Sequence, residues 1–333
     1  MIIREVSGGE KKVFNNLVGH ITQSFEWGDF RLRTKGVAKV SRLGVFDGQK
    51  MTRAYQIFFH KAPVTSHIIA YMPRVPLPSA EEWETIKKIC RDNGAIYLKI
   101  EPIEKPADSL GVVCSDDILP RHNIILNISR PEEEILLGMH EKTRYNIKIA
   151  QKNGVTVLEK EDPGSLEQFI KLYDATQKRQ GFYAKSGDYI RTLWETLKET
   201  GMVRLLCAYV PGENSPVVAA MFFFFKDTFY FPYAGWSAEY REKMPNNLLH
   251  FEAIKLGKKL GAKHYDFWSS YKNFPNPTDP WYGTYVFKKG FGGEEVHYLG
   301  AYDFVFNKPI YIVMKIADGV RWKMLRLKRR LLF

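Results

Sequence analysis

The strongest constraint on the fold is a pair of stretches that repeat the same order of local signals. In the first, a helical pattern ends at Gly94 and leads into a strand-like run over residues 96–100. In the second, a helical pattern ends at Gly261 and leads into a strand-like run over residues 264–268. Glycine directly after the last helical turn is the usual C-terminal signal of a helix. We therefore expect the same unit of helix, tight turn and buried strand to occur twice.

Two further strand-like runs with a turn between them precede each unit. They cover residues 54–59 and 67–72 in the first half of the chain, and 203–209 and 217–225 in the second. A hairpin followed by a helix and a strand is a mixed arrangement. We predict an α/β (α+β) fold in which one mixed domain occurs twice, although two ordinary helix–strand units can also resemble each other by chance.

Composition agrees with two folded domains and narrows the class of partner. The chain has 333 residues, of which 45% are hydrophobic and 14% aromatic, so it can bury a large core and is not a disordered chain. Lys and Arg number 49 against 37 Asp and Glu, which gives a formal net charge of +12. This excess predicts a polyanionic partner: nucleic acid, an anionic membrane surface or a phosphorylated substrate.

Cysteine and histidine usage predicts a protein without disulfides or a metal site, and we expect no cofactor. Cys90, Cys114 and Cys207 are odd in number and form no C-x-x-C pattern, and none of the eight histidines has metal-ligand spacing with another. No signal-peptide pattern is present, and the longest apolar run, residues 217–225, is far shorter than the ~20 residues of a spanning helix. We expect a cytoplasmic protein in a reducing compartment.

Residues 282–293 combine cations, aromatic side chains and glycines. Lys288 and Lys289 lie between Phe287 and Phe291, and three glycines follow or flank them. Glycine permits sharp turns and the close approach of a ligand, so the segment can hold cations beside a reacting group. The alternative is a loop in which the glycines serve a turn, the phenylalanines are core and the lysines are solvated.

Two helices carry clusters of cations. One is predicted to run from a capping box at Ser129 to Gly154, with Arg144 and Lys148 facing either solvent or a phosphate backbone. The other is at the C-terminus, where an apolar series at helical spacing comprises Val313, Ile316, Val320, Met324, Leu327 and Leu331. Its other faces carry Arg321, Lys323, Arg326, Lys328, Arg329 and Arg330. Such a helix can rest on an anionic membrane leaflet, bind tRNA or pack against the first domain.

Several ordered motifs together resemble the Fem transferases of peptidoglycan cross-bridge formation. They are QSFEW at 23–27, KTRYNIKIAQKNGV at 142–155, NLLHFEAIKLGKKLGAKHYDFW at 247–268 and YVFKKGFGG at 285–293. The resemblance covers nearly the whole chain. It implies two tandem acetyltransferase-like (GNAT-like) domains with mixed central sheets, spanning 1–128 with 300–333, and 129–299. It also implies transfer of an amino acid from aminoacyl-tRNA to the stem-peptide amine of a cell-wall precursor.

The resemblance also implies positions that bind the precursor. Arg31 takes the place of a lysine that follows the QSFEW motif, and Lys185 with Tyr189 takes the place of an arginine and a tyrosine spaced by four. Tyr233 corresponds to a further substrate tyrosine. Lysine lacks the bidentate fork that suits phosphate, so the change at position 185 leaves open whether the acceptor is linked to a nucleotide or to a lipid. The short connection between the helices near 165–180 and 189–200 leaves no room for the coiled-coil arm of other relatives.

The catalytic pair implied by the resemblance is Phe287 and Lys288. Aminolysis of an aminoacyl ester needs a positioned neutral amine, an oriented carbonyl and stabilisation of the oxyanion, but no strong protein base. We assign Lys288 to electrostatic stabilisation of the tetrahedral intermediate or of the tRNA end. We expect the Phe287 ring to provide a face for the terminal base of the tRNA. Asp266 is the best acidic candidate nearby, and its alternative is a buried carboxylate bonded to backbone amides at a turn.

The predicted partners are therefore aminoacyl-tRNA and a nucleotide- or lipid-linked muramyl pentapeptide, with a monomer as the working form. Two other functions stay open. One is an acyl-coenzyme A-dependent N-acyltransferase of the same fold, although the Gln151–Gly154 stretch ends a helix and does not begin one, as a pyrophosphate loop must. The other is a non-catalytic RNA-binding protein with a stacking groove.

Overall fold

The protein is described from a computed structural model that covers residues 2–62, 66–106, 110–181, 185–269, 276–279 and 281–332. Residues 182–184, next to the predicted substrate residue Lys185, and residues 270–275, which follow the Asp266 turn, lie outside this set. The same holds for the side chains of residues 322, 323 and 325–332, which include most of the cations predicted for the C-terminal helix.

The chain divides into two compact units. The first comprises Met1–Leu119 with Leu299–Phe333, and the second comprises Pro120–Tyr298. The predicted division, 1–128 with 300–333 and 129–299, differs from this mainly in the segment 120–128. In the structure that segment contains a strand of the second unit's sheet.

The elements of the chain up to residue 119 are β1 (Ile2–Glu5), α1 (Lys11–Leu17), α2 (Phe25–Leu32), β2 (Val37–Asp47), β3 (Lys50–Lys61), β4 (Ile68–Val75), α3 (Ala80–Asp92), β5 (Ala95–Pro102) and β6 (Val113–Ser115). The second unit contains β7 (His122–Asn127), α4 (Glu132–Gly138), α5 (Glu141–Lys152), β8 (Thr156–Lys160), α6 (Pro163–Gln180), α7 (Gly187–Leu197), β9 (Val203–Tyr209), β10 (Val218–Phe225), β11 (Thr228–Trp236), α8 (Pro245–Lys259), β12 (His264–Asp266), α9 (Tyr282–Lys289) and β13 (Glu294–His297). The chain then returns to the first unit with β14 (Ala301–Val305) and α10 (Lys308–Leu332).

Over the residues that the structure describes, both units are built on a seven-stranded mixed sheet with the same pattern of strand pairing. The strand order is β1-β2-β3-β4-β5-β14-β6 in the first unit and β8-β9-β10-β11-β12-β7-β13 in the second. In each sheet the pairings are antiparallel except one, β4 with β5 and β11 with β12, and each parallel pair is connected by a helix, α3 or α8. Parallel neighbours need such a crossover. The predicted α/β fold with two tandem mixed-sheet domains is confirmed.

The repeated helices begin and end for local reasons that the sequence signals. The Ser79 hydroxyl accepts the Glu82 amide at 3.3 Å, and the Glu82 carboxylate accepts the Ser79 amide at 2.6 Å, which forms a capping box at the start of α3. Pro245 occupies the first turn of α8, where its missing N–H costs nothing. Gly94 and Gly261 follow the two helices with φ of +70° and +92°, a region that favours glycine.

The helix predicted from Ser129 to Gly154 is wrong in one respect, because the structure divides it into α4 and α5. Met139 is extended, with ψ of 150°, and the His140 amide donates to the Gly290 carbonyl at 2.8 Å. The Arg144 guanidinium bonds the Leu137 carbonyl at 3.3 Å and the Met139 carbonyl. Arg144 therefore satisfies carbonyls at the C-terminal end of α4, whereas Lys148 is exposed.

The second unit has an aromatic core on the sheet. Phe222 and Phe229 stack with ring centroids 5.1 Å apart, and Tyr265 packs against both rings. All three side chains are fully buried. Burial of one such side chain contributes about 1.5–3 kcal/mol, so this cluster holds β10, β11 and β12 together.

Helix α6 lies directly on the end of β11. A Cβ atom at Gly235 would be 2.3 Å from the Tyr173 nitrogen and 2.4 Å from the Leu172 carbonyl carbon, so only glycine fits without movement of the helix. The Thr176 hydroxyl donates to the Trp236 carbonyl at 3.1 Å and accepts its amide at 2.9 Å. These contacts fix α6 relative to β11. Helices α6 and α7 follow each other within a few residues, and β9 begins soon after, as expected of a compact chain without a coiled-coil arm.

We predict that Gly235→Ala destabilises the protein by about 1–3 kcal/mol, because the added methyl group meets backbone atoms that can move only with the helix. Urea unfolding followed by circular dichroism measures the change. Gly138→Ala is the matched control, since a Cβ atom there has no neighbour within 4 Å and alanine favours the helix. Equal unfolding midpoints for the two variants would contradict the close packing.

Candidate active site in the second unit

The parallel strand pair of the second unit ends abruptly. Strand β12 pairs with β11 from His264 to Asp266, whose partner is Tyr230, whereas β11 continues to Trp236. In open α/β sheets ligands bind beyond the carboxyl ends of parallel strands, because the strands and the helix that connects them leave a crevice there. In the second unit this edge of the sheet is formed by the residues that follow Asp266.

Lys288 reaches the end of β12 from helix α9. Its ammonium donates to the Phe267 carbonyl at 2.9 Å and also to the Ser269 carbonyl. The side chain lies over the Phe231 ring, 5.4 Å from the centroid, and the residue is only 7% exposed. The ammonium thus sits at the point where the parallel pair ends.

Asp266 is buried beside this cation and holds the turn that follows β12. Its carboxylate accepts the Trp268 amide at 2.7 Å and both oxygens lie near the Asn123 side-chain amide, at 3.0 and 3.1 Å. Trp268 has φ of +65°, a conformation that is uncommon for a bulky side chain. These are the bonds expected of the structural alternative for Asp266, a buried carboxylate at a turn.

Burial makes Lys288 titrate near neutral pH. Desolvation lowers the pKa of Lys288 to about 8, and the negative charge of Asp266 partly opposes that decrease. Burial, with the nearby charge of Lys288, lowers the pKa of His250 to about 3, so this imidazole is neutral. Its Nδ1 atom shares a hydrogen bond of 2.7 Å with the Tyr265 hydroxyl. With a pKa of about 8, Lys288 is mostly positively charged at physiological pH, and this charge is lost as the pH rises above 8.

Phe287 lies in an aromatic cluster next to the cation. Its ring centroid is 5.3 Å from that of His250 and 5.4 Å from that of Phe291, both in edge-to-face geometry. The side chain is half-buried. These contacts anchor α9 on the core, and the role of Phe287 as a face for a terminal base stays a prediction.

The glycines after α9 approach protein backbone. Gly292 has φ of +86°, and a Cβ atom there would be 2.3 Å from the Gly138 carbonyl oxygen. A Cβ atom on Gly290 would be 2.5 Å from the Thr143 hydroxyl. The close approach that the glycines permit is therefore to the α4–α5 connection, and it fixes the position of Lys288 at the end of α9.

Three predicted substrate residues lie near one another. The Lys185 ammonium is 4.9 Å from the centroid of the Tyr189 ring, and the Lys185 amide donates to the Tyr173 hydroxyl at 3.4 Å. The Tyr173 and Tyr233 rings meet edge to face, 5.9 Å apart. Tyr173 was not predicted from the sequence, because its place four residues after a buried phenylalanine on α6 is typical of core.

A series of aromatic contacts connects these residues to the end of β12. Tyr233 contacts Phe223 with ring centroids 6.0 Å apart, and Phe223 contacts Trp268 at the same distance. Trp268 is the residue whose amide Asp266 accepts. A series of ring contacts thus runs from Tyr233 to Trp268, which lies between the two residues whose carbonyls accept hydrogen bonds from Lys288.

Arg31 belongs to the first unit, near the end of α2. Its Nε atom is 3.4 Å from the Thr34 hydroxyl, and the guanidinium carbon lies 5.8 Å from the centroid of the Phe58 ring. The charge of Arg31 opposes the increase that burial and the Glu101 carboxylate cause in the pKa of Tyr71. A cation thus lies beside buried aromatic side chains in this unit, and its role in binding phosphate stays a prediction.

Part of the second unit matches a known domain family, and nearly the whole chain is similar to known proteins. The family model of the acetyltransferase (GNAT) domain matches residues 140–281. The lipid II:glycine glycyltransferase of Staphylococcus epidermidis is 21% identical over 399 aligned positions, covering 94% of both chains, and that of Staphylococcus aureus is 22% identical over 408 positions, covering 96% of both. The crystal structure of FemX superposes with a TM-score of 0.83 at 20% identity, over 94% of this chain and 99% of that one.

The predicted resemblance to the Fem transferases is confirmed. The alignments with the glycyltransferases are longer than this chain, so those relatives carry segments that the Fem-like chain lacks. Together with the acetyltransferase domain, the relatives support the broader expectation of an acyltransferase. Among the helices that the structure describes, none is both long and apolar enough to cross a bilayer.

We predict that Asp266→Asn lowers the pKa of Lys288 further below about 8, because the carboxylate charge that favours the ammonium is lost while the amide keeps the shape. Titration of the lysine Nζ and Cε resonances by NMR measures the midpoint, and Lys288→Arg assigns the signal by its loss. Glu295→Gln is the matched control, because Glu295 lies 3.5 Å from the neighbouring Lys289. A midpoint that Asp266→Asn leaves unchanged would refute the coupling.

Proposed function

We propose that this Fem-like chain transfers an amino acid from aminoacyl-tRNA to the stem-peptide amine of a peptidoglycan precursor. The observation that carries the proposal is the buried ammonium of Lys288 at the end of the parallel strand pair, in a chain aligned over 94% of its length with lipid II:glycine glycyltransferases. A fixed cation in a water-poor site is what the developing oxyanion of acyl transfer requires.

The chemistry requires charge more than base strength. The neutral acceptor amine attacks the ester carbonyl of the aminoacyl group, the carbonyl oxygen gains negative charge, and the ribose oxygen leaves as its bond to carbon breaks. The amine gives up a proton, and the ribose oxygen takes one. A pKa of about 8 keeps most Lys288 side chains protonated at pH 7, so the ammonium can stabilise the oxyanion. The bonds to the Phe267 and Ser269 carbonyls fix its position before substrate arrives.

The acceptor is proposed to be the lipid-linked form of the precursor, since lipid II is the substrate in the names of the aligned relatives. Lys185, Tyr189 and Tyr233 are assigned to it because Lys185 contacts Tyr189, and both Lys185 and Tyr233 contact Tyr173. Arg31 is assigned to bind the phosphates of this precursor. The chain is proposed to work as a monomer on the cytoplasmic side, and size-exclusion chromatography tests the oligomeric state.

The acyl-coenzyme A alternative is favoured by the match to an acetyltransferase domain. Coenzyme A binding in such folds needs consecutive backbone amides between a strand and a helix to bind the pyrophosphate. In the first unit the β4–α3 connection is Pro76-Leu77-Pro78-Ser79, and two of its four residues lack an N–H. The β11–α8 connection, residues 237–244, contains no glycine. Neither connection has the composition of a pyrophosphate loop.

The function is tested by incubating the protein with isotope-labelled aminoacyl-tRNAs and either lipid-linked or nucleotide-linked precursor, followed by mass spectrometry of the stem peptide. We expect the stem peptide to gain one amino acid residue and the tRNA to be deacylated only when acceptor is present. Acetyl-coenzyme A in place of the tRNA is the control for the alternative enzyme. Retention of charged tRNA without turnover would identify a binding protein instead.

We predict that Lys288→Ala lowers the rate of transfer by about a hundredfold, because the charge that stabilises the oxyanion is lost. Lys289→Ala is the matched control: it removes the neighbouring lysine, whose ammonium bonds the Gly293 carbonyl at 3.1 Å and lies outside the proposed machinery. Because Lys288→Ala also leaves two carbonyls without their donor, thermal unfolding of each variant is measured first. Full activity of a folded Lys288→Ala protein would remove the assignment.

The pH dependence of the transfer rate distinguishes two roles of Lys288: stabilisation of the oxyanion by the charged lysine, and general-base catalysis by the neutral lysine. Lys288 is protonated below a pKa of about 8 and neutral above it, whereas arginine in its place stays charged throughout. If the charge is what matters, the ratio of the wild-type rate to the Lys288→Arg rate falls as the pH rises through about 8. Both enzymes share the titration of the acceptor amine, so the ratio cancels it. A ratio that rises above pH 8 would show that the neutral lysine acts as a base.

A further inference from the structure

The C-terminal helix α10 is fixed on the first unit at its start. The Tyr311 hydroxyl donates to the Asp303 carboxylate at 3.0 Å, and the Lys315 ammonium lies 3.2 Å from the same oxygen. Asp303 is itself buried and pairs with Lys99 at 2.9 Å. The Tyr97 and Tyr311 rings also meet edge to face, 5.2 Å apart. One side of α10 therefore packs against the sheet of this unit.

Another side of α10 presents an apolar stripe to solvent. Its residues are between 49% and 65% exposed, and they are Ile312, Val313, Ile316, Val320 and Met324. Four of the five follow one another at intervals of four residues, so they line one side of the helix. The helix is continuous through Gly319. Contiguous exposed apolar side chains mark an interaction surface.

The charge of the same helix indicates what that surface meets. Its 25 residues include eight Lys or Arg and one Asp, so much of the excess positive charge of the chain is concentrated in it. Arg321 is exposed and follows the stripe residue Val320 directly. A helix with an apolar face, many cations and few acids is typical of segments that lie in the headgroup layer of anionic membranes.

Three other arrangements fit less well. The stripe does not pack on its own unit, since its described side chains are half or more exposed. A spanning helix is unsupported, because none of the helices that the structure describes, α10 included, is apolar enough over a bilayer-spanning length. RNA would neutralise the cations but leave the five apolar side chains in water, whereas a bilayer surface takes both.

We propose that α10 docks the protein on an anionic phospholipid bilayer, with the stripe of Ile312, Val313, Ile316, Val320 and Met324 inserted at the level of the headgroups. The anchor at Asp303 then holds the first unit at the membrane surface. This inference goes beyond the proposed transfer reaction and does not depend on it, because membrane binding requires no turnover. It does supply a way to bring a soluble tRNA and a lipid-linked acceptor to one enzyme.

The test is flotation of the purified full-length protein with vesicles of phosphatidylglycerol and phosphatidylcholine, compared with vesicles of phosphatidylcholine alone. We expect binding to the anionic vesicles that weakens as NaCl is raised. Ile316→Glu with Val320→Glu is expected to lower the partition coefficient at least about tenfold, because two apolar contacts are lost and two negative charges are added. No binding to anionic vesicles at low salt would overturn the proposal.

The matched control is Ile2→Glu with Leu137→Glu, which places the same two charges on apolar residues that are 60% and 74% exposed elsewhere. We expect this variant to bind vesicles as the wild type does, and equal losses in both double variants would overturn the proposal. If the Ile316 and Val320 variant aggregates, Met324→Glu replaces it. A gel-shift titration with tRNA completes the test: a stripe variant that loses tRNA binding while keeping vesicle binding would identify α10 as an RNA surface.

Discussion

The rest of the second unit is organised around one buried cation, the ammonium of Lys288 at the end of β12. A charge in an aromatic interior is costly unless polar groups surround it. Here the Phe267 and Ser269 carbonyls accept hydrogen bonds from it, and the Asp266 carboxylate lies nearby. Asp266 in turn fixes Trp268 in a left-handed conformation. The network thus sets the pKa of the cation and the shape of the turn that follows the parallel pair.

The two units share a pattern of strand pairing but place different chemistry at the end of their parallel strands. In the first unit the corresponding strand β5 carries buried Glu101, which accepts the Tyr71 hydroxyl at 2.5 Å and the amides of Ile118 and Leu119 at 2.8 Å each. Three donors from the same unit therefore satisfy this carboxylate. In the second unit, a lysine from the separate helix α9 lies at the end of the corresponding strand β12. Two copies of one scaffold can in this way carry different chemistry.

Local signals explain why the fold was largely predictable. The glycines after α3 and α8 adopt the positive φ angles that the sequence indicates, and the strands fall where the apolar runs are. The predictions were wrong where a distant contact decides the local structure. The helix at 129–154 breaks because the Gly290 carbonyl, far along the chain, accepts the His140 amide. Periodicity within a window of residues contains no information about such a partner.

The sequence by itself determined the duplicated mixed fold, the family resemblance and the candidate catalytic pair Phe287 and Lys288. Helix ends, strand patterns and the order of motifs can all be read along the chain without knowledge of its folded contacts. Only the tertiary structure decided that Lys288 is buried and titrates near pH 8, that the glycines beside it contact the α4–α5 connection, and that Tyr173 joins the predicted substrate residues. It also decided that the apolar side of α10 faces water. Desolvation, close approach and exposure depend on what other parts of the chain place around a residue, and that is fixed only when the chain is folded.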